Sequence, residues 1–172
     1  MKIAVCGAHK VGKTTLIEKL HEALPGYECK LEPYYELQEE GFAFSEVPTR
    51  DDYVAMLEFS IEQIVSSGDN IIYDRCPVDL LAYAQAVNDN RNFDIHSLYS
   101  QVQDVMNEID LLVFVPVEKN DLIDCLESEL PDLRKEVNDI LSGWVNDLNT
   151  NLIEVHGSVE ERCNLVLEKI AK

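Results

Sequence analysis

Gly7-Ala8-His9-Lys10-Val11-Gly12-Lys13-Thr14 is the stretch on which the reading of this chain turns. It fits G-x-x-x-x-G-K-[ST], the phosphate-binding loop known as Walker A. Glycine is about 7% of ordinary sequence, and a chance match in a chain of this length is roughly a one-in-a-hundred event. The flanks agree with the motif. Lys2–Cys6 reads as a short buried strand leading in, and Thr15–Leu20 as a helix leading out, with Leu16, Ile17, Leu20 and Leu24 on one face. Glycines let the backbone turn tightly and bring its N–H groups against phosphate oxygens. The helix N-terminus behind them adds unpaired donors and about half a positive charge. Gly7 through Thr14, with Thr15 after it, are therefore the candidate nucleotide-binding residues. Lys13 is placed to reach the β- and γ-phosphates, and Thr14 to ligate Mg²⁺.

At 172 residues the chain suits one domain, 1–172, able to bury roughly 70% of its unfolded surface. No run approaches the roughly 18 apolar residues of a membrane span. Ile3–Cys6 is too short for the core of a secretory signal, so a cytoplasmic location is expected. Cys6, Cys29, Cys76, Cys125 and Cys163 contain no C-x-x-C pair, which points to free thiols, with Cys6 and Cys29 as small core residues. The net charge of −19 argues against nucleic acid or an anionic membrane as a standing partner. It does not argue against a bound nucleotide. Exposed charges beyond about 8 Å are largely screened at physiological salt, and Lys10, Lys13 and the loop amides act locally.

Along the chain, strands alternate with helices. Tyr27–Glu32 alternates like a second strand and stops at Pro33. Tyr34 to Thr49 reads as a partly irregular aromatic wall with a short helix near Tyr35–Glu40. Arg50–Ser67, Asp79–Val87 after Pro77, and Ile95–Ile109 follow a helical period. Asn70–Asp74, Leu111–Val115 and Asn151–Val155 read as buried strands. Glu118–Leu148 reads as helical and acidic, broken at Pro131. Gly157-Ser158 caps a closing helix, Val159–Ile170. This is the α/β pattern of a parallel sheet covered on both faces. Ligands of such sheets bind beyond the carboxyl ends of the strands, where Gly7, Glu32, Asp74 and Pro116 all fall.

Together with the Walker A loop, Glu32-Pro33, Asp74-Arg75 and Gly157–Arg162 in this order resemble the small P-loop kinases. The deoxynucleoside kinases, thymidylate kinases and nicotinamide riboside kinase-like ATPases are the groups in view, and the run Asp74–Tyr83 looks closest to the last. The resemblance implies a three-layer P-loop NTPase fold, a five-stranded parallel sheet in the order 2-3-1-4-5, and a helical lid at 117–149. It also implies ATP and Mg²⁺ as cofactors and a small nucleoside- or nucleotide-like acceptor; a homodimer is one assembly left open. By position, Glu32 resembles the catalytic base and Asp74-Arg75 the acidic-arginine pair. With Lys13 these form the candidate catalytic set. Asp74 is alternatively a second Mg²⁺ ligand beside Thr14, and Arg75 alternatively a structural partner of Asp74 or Asp79. Gly157 and Ser158 stand where these kinases hold the adenine base, and Arg134 is the lid arginine placed to clamp phosphate.

The lid departs from the pattern. Between Val117 and Trp144 its cations are Lys119, Arg134 and Lys135, amid many acids, where these kinases usually offer two or more arginines. That leaves a second reading open, an ATPase or nucleotide switch acting on a protein partner without a small acceptor. A third is binding without turnover. Arg50 reads either as a substrate contact or as a surface residue, and Trp144 and the aromatic wall as core or acceptor pocket, with core preferred. The histidines have no ligand-like spacing, so no metal beyond Mg²⁺ is expected.

Overall fold

The computed structural model describes residues 1–87, 93–118, 123 and 125–171. Lys2–Cys6 (β1) is buried at every position and forms the centre of a five-stranded parallel sheet ordered β2-β3-β1-β4-β5. Ile71–Asp74 (β3) and Leu111–Phe114 (β4) flank it and are likewise buried throughout, as continuous apolar runs require in a sheet covered on both faces. Glu28–Lys30 (β2) and Leu152–Glu154 (β5) are the edges, only partly buried. Cys29 is accordingly half-buried on an edge strand and not in the core. Val5 pairs with Asp74 and Cys6 with Phe114, so β1, β3 and β4 end level with one another. That register sets the phosphate loop, the Asp74-Arg75 pair and Val115 side by side.

The helices are α1 (Lys13–Ala23), α2 (Pro33–Glu39), α3 (Arg50–Ser66), α4 (Pro77–Ala86), α5 (Ile95–Met106), α6 (Pro131–Trp144) and α7 (Val159–Ile170). Helix α1 packs on α7, whereas α3, α5 and α6 gather on α4, nine of whose ten residues are buried. Thr49 with Asp52 and Ser158 with Glu161 form reciprocal caps at the starts of α3 and α7. Proline corrects two boundaries. Pro33 opens α2 two residues before the expected start, and Pro131 begins α6 where a break was expected, because proline suits the first helical turn. Among the described residues of the segment expected as a lid, a 3₁₀ turn, Glu127–Glu129, precedes α6; Lys119 lies outside the described residues. Tyr34 stacks on Phe44 at 4.5 Å and Phe44 meets Phe42 at 4.7 Å, which builds the aromatic wall. Trp144 packs edge-on to Tyr99 at 5.1 Å, partly buried against the core. Among the described residues, no helix is long and apolar enough to cross a membrane.

Two glycines test this packing with opposite signs. A Cβ on Gly7, at φ +147°, would lie 2.3 Å from the Val115 carbonyl oxygen, and neither backbone can yield. Gly7→Ala is expected to destabilise by about 3 kcal/mol, a fall in Tm of roughly 6–12 °C. A Cβ on Gly143, inside α6, meets nothing within 4 Å. Gly143→Ala is expected to raise stability by about 0.5–1 kcal/mol. Thermal melts of the two variants check both.

Candidate active site

The phosphate loop is held open by its own surroundings. The Gly7 N–H donates to Asp79 Oδ1 at 2.7 Å, and Asp79, fully buried, also accepts from the Cys76 N–H at 3.0 Å. Gly12 takes φ +86° as the residue before α1, a left-handed conformation that glycine adopts without strain. Lys13 crosses back so that Nζ donates to the Ala8 carbonyl at 2.7 Å. Two arginines far along the chain grip the loop from outside. Arg134 donates from Nε to the His9 carbonyl at 2.9 Å and from Nη2 to the Lys10 carbonyl at 2.7 Å. Arg162 donates from Nη1 to the Val11 carbonyl at 2.7 Å.

Charge is concentrated at the carboxyl edge of the sheet. Burial and then the nearby Arg75 guanidinium push Lys13 down to about 8. Burial raises Asp74 and Asp79 above the usual aspartate range. Burial alone would raise Glu32 too, but Arg75 and then Lys13 outweigh it and hold this carboxylate below its ordinary value. Arg75, held at φ +73°, donates from Nε to Glu32 Oε1, and its guanidinium lies 5.0 Å from the centre of the Tyr83 ring. Its ion-pair partner is thus Glu32, not the neighbouring Asp74 or Asp79, because the left-handed backbone turns the side chain across the strand ends towards β2.

Thr14 donates its hydroxyl to Asp74 Oδ2 at 2.9 Å, while Asp74 Oδ1 is buried without a hydrogen-bond partner. One hydroxyl and one carboxylate beside a phosphate loop are the donor set that Mg²⁺ takes from protein, with phosphates and water supplying the rest. Among the described residues no group of three or more His, Cys, Asp or Glu is placed to hold a metal. Thr14 and Asp74 therefore fit Mg²⁺ carried with a nucleotide.

Three cavities run in series. A cavity of 430 Å³ is lined by His9, Lys10, Gly12, Lys13, Thr14, Thr15, Glu32, Asp74 and Arg75 among others, so the structure brings most of the candidate set together. A second, of 370 Å³, shares Gly12 and Thr15 with it and includes Glu118, Arg134, Gly157, Ser158 and Arg162. The third, of 300 Å³, shares His9, Glu32 and Arg75 with the first and is walled by Tyr34, Phe44, Tyr53 and Tyr83. Arg50 is not part of these walls. It is buried, donating from Nε to the Ala84 carbonyl and from Nη2 to the Val87 carbonyl, with Phe93 4.6 Å below its guanidinium.

Sequence reasoning missed Glu118 and Glu129. Glu118 Oε1 accepts from Arg162 Nη2 at 2.7 Å and from the Gly157 N–H at 2.8 Å, tying the end of the sheet to the start of α7. Glu129 Oε1 receives Lys10 Nζ at 2.7 Å. Both partnerships join segments far apart in the chain, and neither residue sits in a recognisable motif; a lone Glu in an acidic stretch carries no signal.

The fold is that of the small P-loop kinases. A deoxyadenosine kinase from M. mycoides, solved with dCMP and dCDP bound, is 21% identical, with 99% of each chain covered and a TM-score of 0.63. Thymidylate kinase from Candida albicans is 17% identical over 99% of this chain and 90% of its own, with a TM-score of 0.64. The YorR protein from Bacillus subtilis, in complex with phosphorylated GDP, is 14% identical over 99% and 96%, also with a TM-score of 0.64. No curated protein matches in sequence. A family model described as an AAA domain matches residues 2–162, nearly the whole length, and the chain belongs to that family.

Proposed function

We propose that the protein is a kinase that transfers the γ-phosphoryl group of ATP, with Mg²⁺, to a small hydroxyl or phosphate acceptor of nucleoside or nucleotide type. The observation that carries this reading is that Glu32 and Arg75 line both the phosphate cavity and the aromatic cavity beside it. A nucleotide switch has no use for such an adjoining cavity, and the kinases that share the fold support transfer over switching. In this reading the base of ATP occupies the cavity at Gly157 and Ser158, and its phosphates lie along the loop amides and Lys13. Mg²⁺, when bound at Thr14 and Asp74, supplies neutralisation of phosphate charge. The acceptor ring lies among Tyr34, Phe44, Tyr53 and Tyr83, where flat aromatic groups stack favourably. Glu32, kept ionised by Arg75, orients the acceptor hydroxyl and accepts its proton as that oxygen attacks the γ-phosphorus, with ADP as the leaving group. Arg75 neutralises charge on the phosphoryl group in transit. Excess charge on either side is limited because the two are already paired.

Three measurements test the proposal. A screen of nucleosides and nucleotides by coupled ADP release is expected to find an acceptor that stimulates turnover; ADP release indifferent to every acceptor would favour the switch. Glu32→Gln is expected to lower kcat by about 10²–10⁴ while ATP still binds. Unchanged kcat would remove Glu32 from the role of base. Third, a triphosphate needs Lys13 as the ammonium. With the free-site value near 8, nucleotide affinity is expected to be flat below pH 8 and to weaken about tenfold per pH unit above it. Calorimetric titrations across pH 7 to 10 check this, and Lys13→Met should abolish the slope.

A further inference from the structure

The lid turn is joined to the phosphate loop at two successive loop residues, and each is held twice. Lys10 donates from its side chain to the Glu129 carboxylate, and its carbonyl accepts from Arg134. The carbonyl of His9 also accepts from Arg134. The His9 side chain then bridges two different regions. Its Nε2 lies 2.7 Å from the Glu129 carbonyl oxygen, which can only accept, so Nε2 carries the proton. In the neutral ring Nδ1 is then an acceptor, and the Tyr83 hydroxyl, 2.8 Å away, donates to it. The same hydroxyl oxygen accepts the His9 backbone N–H at 2.7 Å.

Tyr83 belongs to the aromatic cavity. Its ring stacks on Tyr53 at 5.0 Å and 20°, and it lies under Arg75. Ser128, Glu129, Leu130 and Leu133 of the lid close the same cavity from the other side. A variable residue of the phosphate loop therefore links the Tyr53–Tyr83 wall to the Glu129 wall through a single side chain.

We propose that His9 and Tyr83 are positioning residues for the acceptor: the chain from Tyr83 through His9 to Glu129 sets the spacing between the two walls of the aromatic cavity and fixes that spacing to the phosphate loop. This rests on the assignment of the aromatic cavity to the acceptor. Neither residue touches the reacting atoms in this role. They act through the width of the cavity and through the ring beneath Arg75.

The two halves of the bridge can be cut separately. Asparagine places a side-chain oxygen near Nδ1 but does not reach Glu129, whereas glutamine carries an amide N–H to the position of Nε2. His9→Asn is expected to raise acceptor KM about tenfold, with a smaller change in donor KM, and to speed hydrogen exchange of the amides at 127–134 about tenfold. His9→Gln is expected to restore the slow exchange and most of the acceptor KM. Tyr83→Phe is expected to raise acceptor KM while leaving the exchange of 127–134 within about threefold of the parent. The proposal is overturned if His9→Asn and His9→Gln behave alike in both readouts, or if donor and acceptor KM rise together. Exchange does not depend on turnover. Lost protection in His9→Asn and recovered protection in His9→Gln support the bridge even if no acceptor is turned over, a result that would count against the kinase reading alone.

Discussion

Mutual neutralisation at the carboxyl edge of the sheet is the constraint on which this structure depends. Lys13 and Arg75 are both buried there, and an uncompensated buried cation costs several kcal/mol. Asp74, Asp79 and Glu32 supply the opposing charge from the ends of β3 and β2 and the first turn of α4. Two of the carboxylates are also committed elsewhere, Asp79 to the Gly7 amide and Asp74 to Thr14, while Glu32 pairs with Arg75 itself. The strand register makes the cluster available. Because β1, β3 and β4 end level, residues separated by more than sixty positions in sequence face one another across a few ångströms.

That register also explains what could be read in advance. The loop at Gly7–Thr14 and the runs Ile71–Asp74 and Leu111–Phe114 are visible in sequence because their constraints are local: glycine conformations, and burial on both faces of a strand. A parallel arrangement places strand ends together, so Glu32, Asp74 and Arg75 could be suspected of meeting. Their pairing could not be read. Whether Arg75 turns to Glu32 or to Asp79 depends on its left-handed backbone, and nothing in the residues Asp74-Arg75-Cys76 announces that conformation. Glu118 and Glu129 were invisible for a related reason, since their partners lie about forty and one hundred and twenty positions away.

The segment expected as a lid shows what composition leaves out. An arginine-poor lid suggested a weak phosphate clamp, and its arginine, Arg134, was the natural candidate for that task. In the fold two of its donors hold loop carbonyls. The segment before it, Ser128 to Leu133, supplies part of the lining of the aromatic cavity.

The same economy has an effect outside the site. Among the described residues, Lys2, Lys13, Arg50, Arg75 and Arg134 are buried, against Asp52, Asp74 and Asp79 among the acids. A chain of net charge −19 has thus drawn its positive charge inward and left a surface still more negative than its composition. An anionic nucleotide approaching from solution meets repulsion until it reaches the mouth of the cleft, and attraction only within the last few ångströms. Its encounter rate is consequently expected to rise with ionic strength, the reverse of the steered association seen where protein and ligand carry opposite charge.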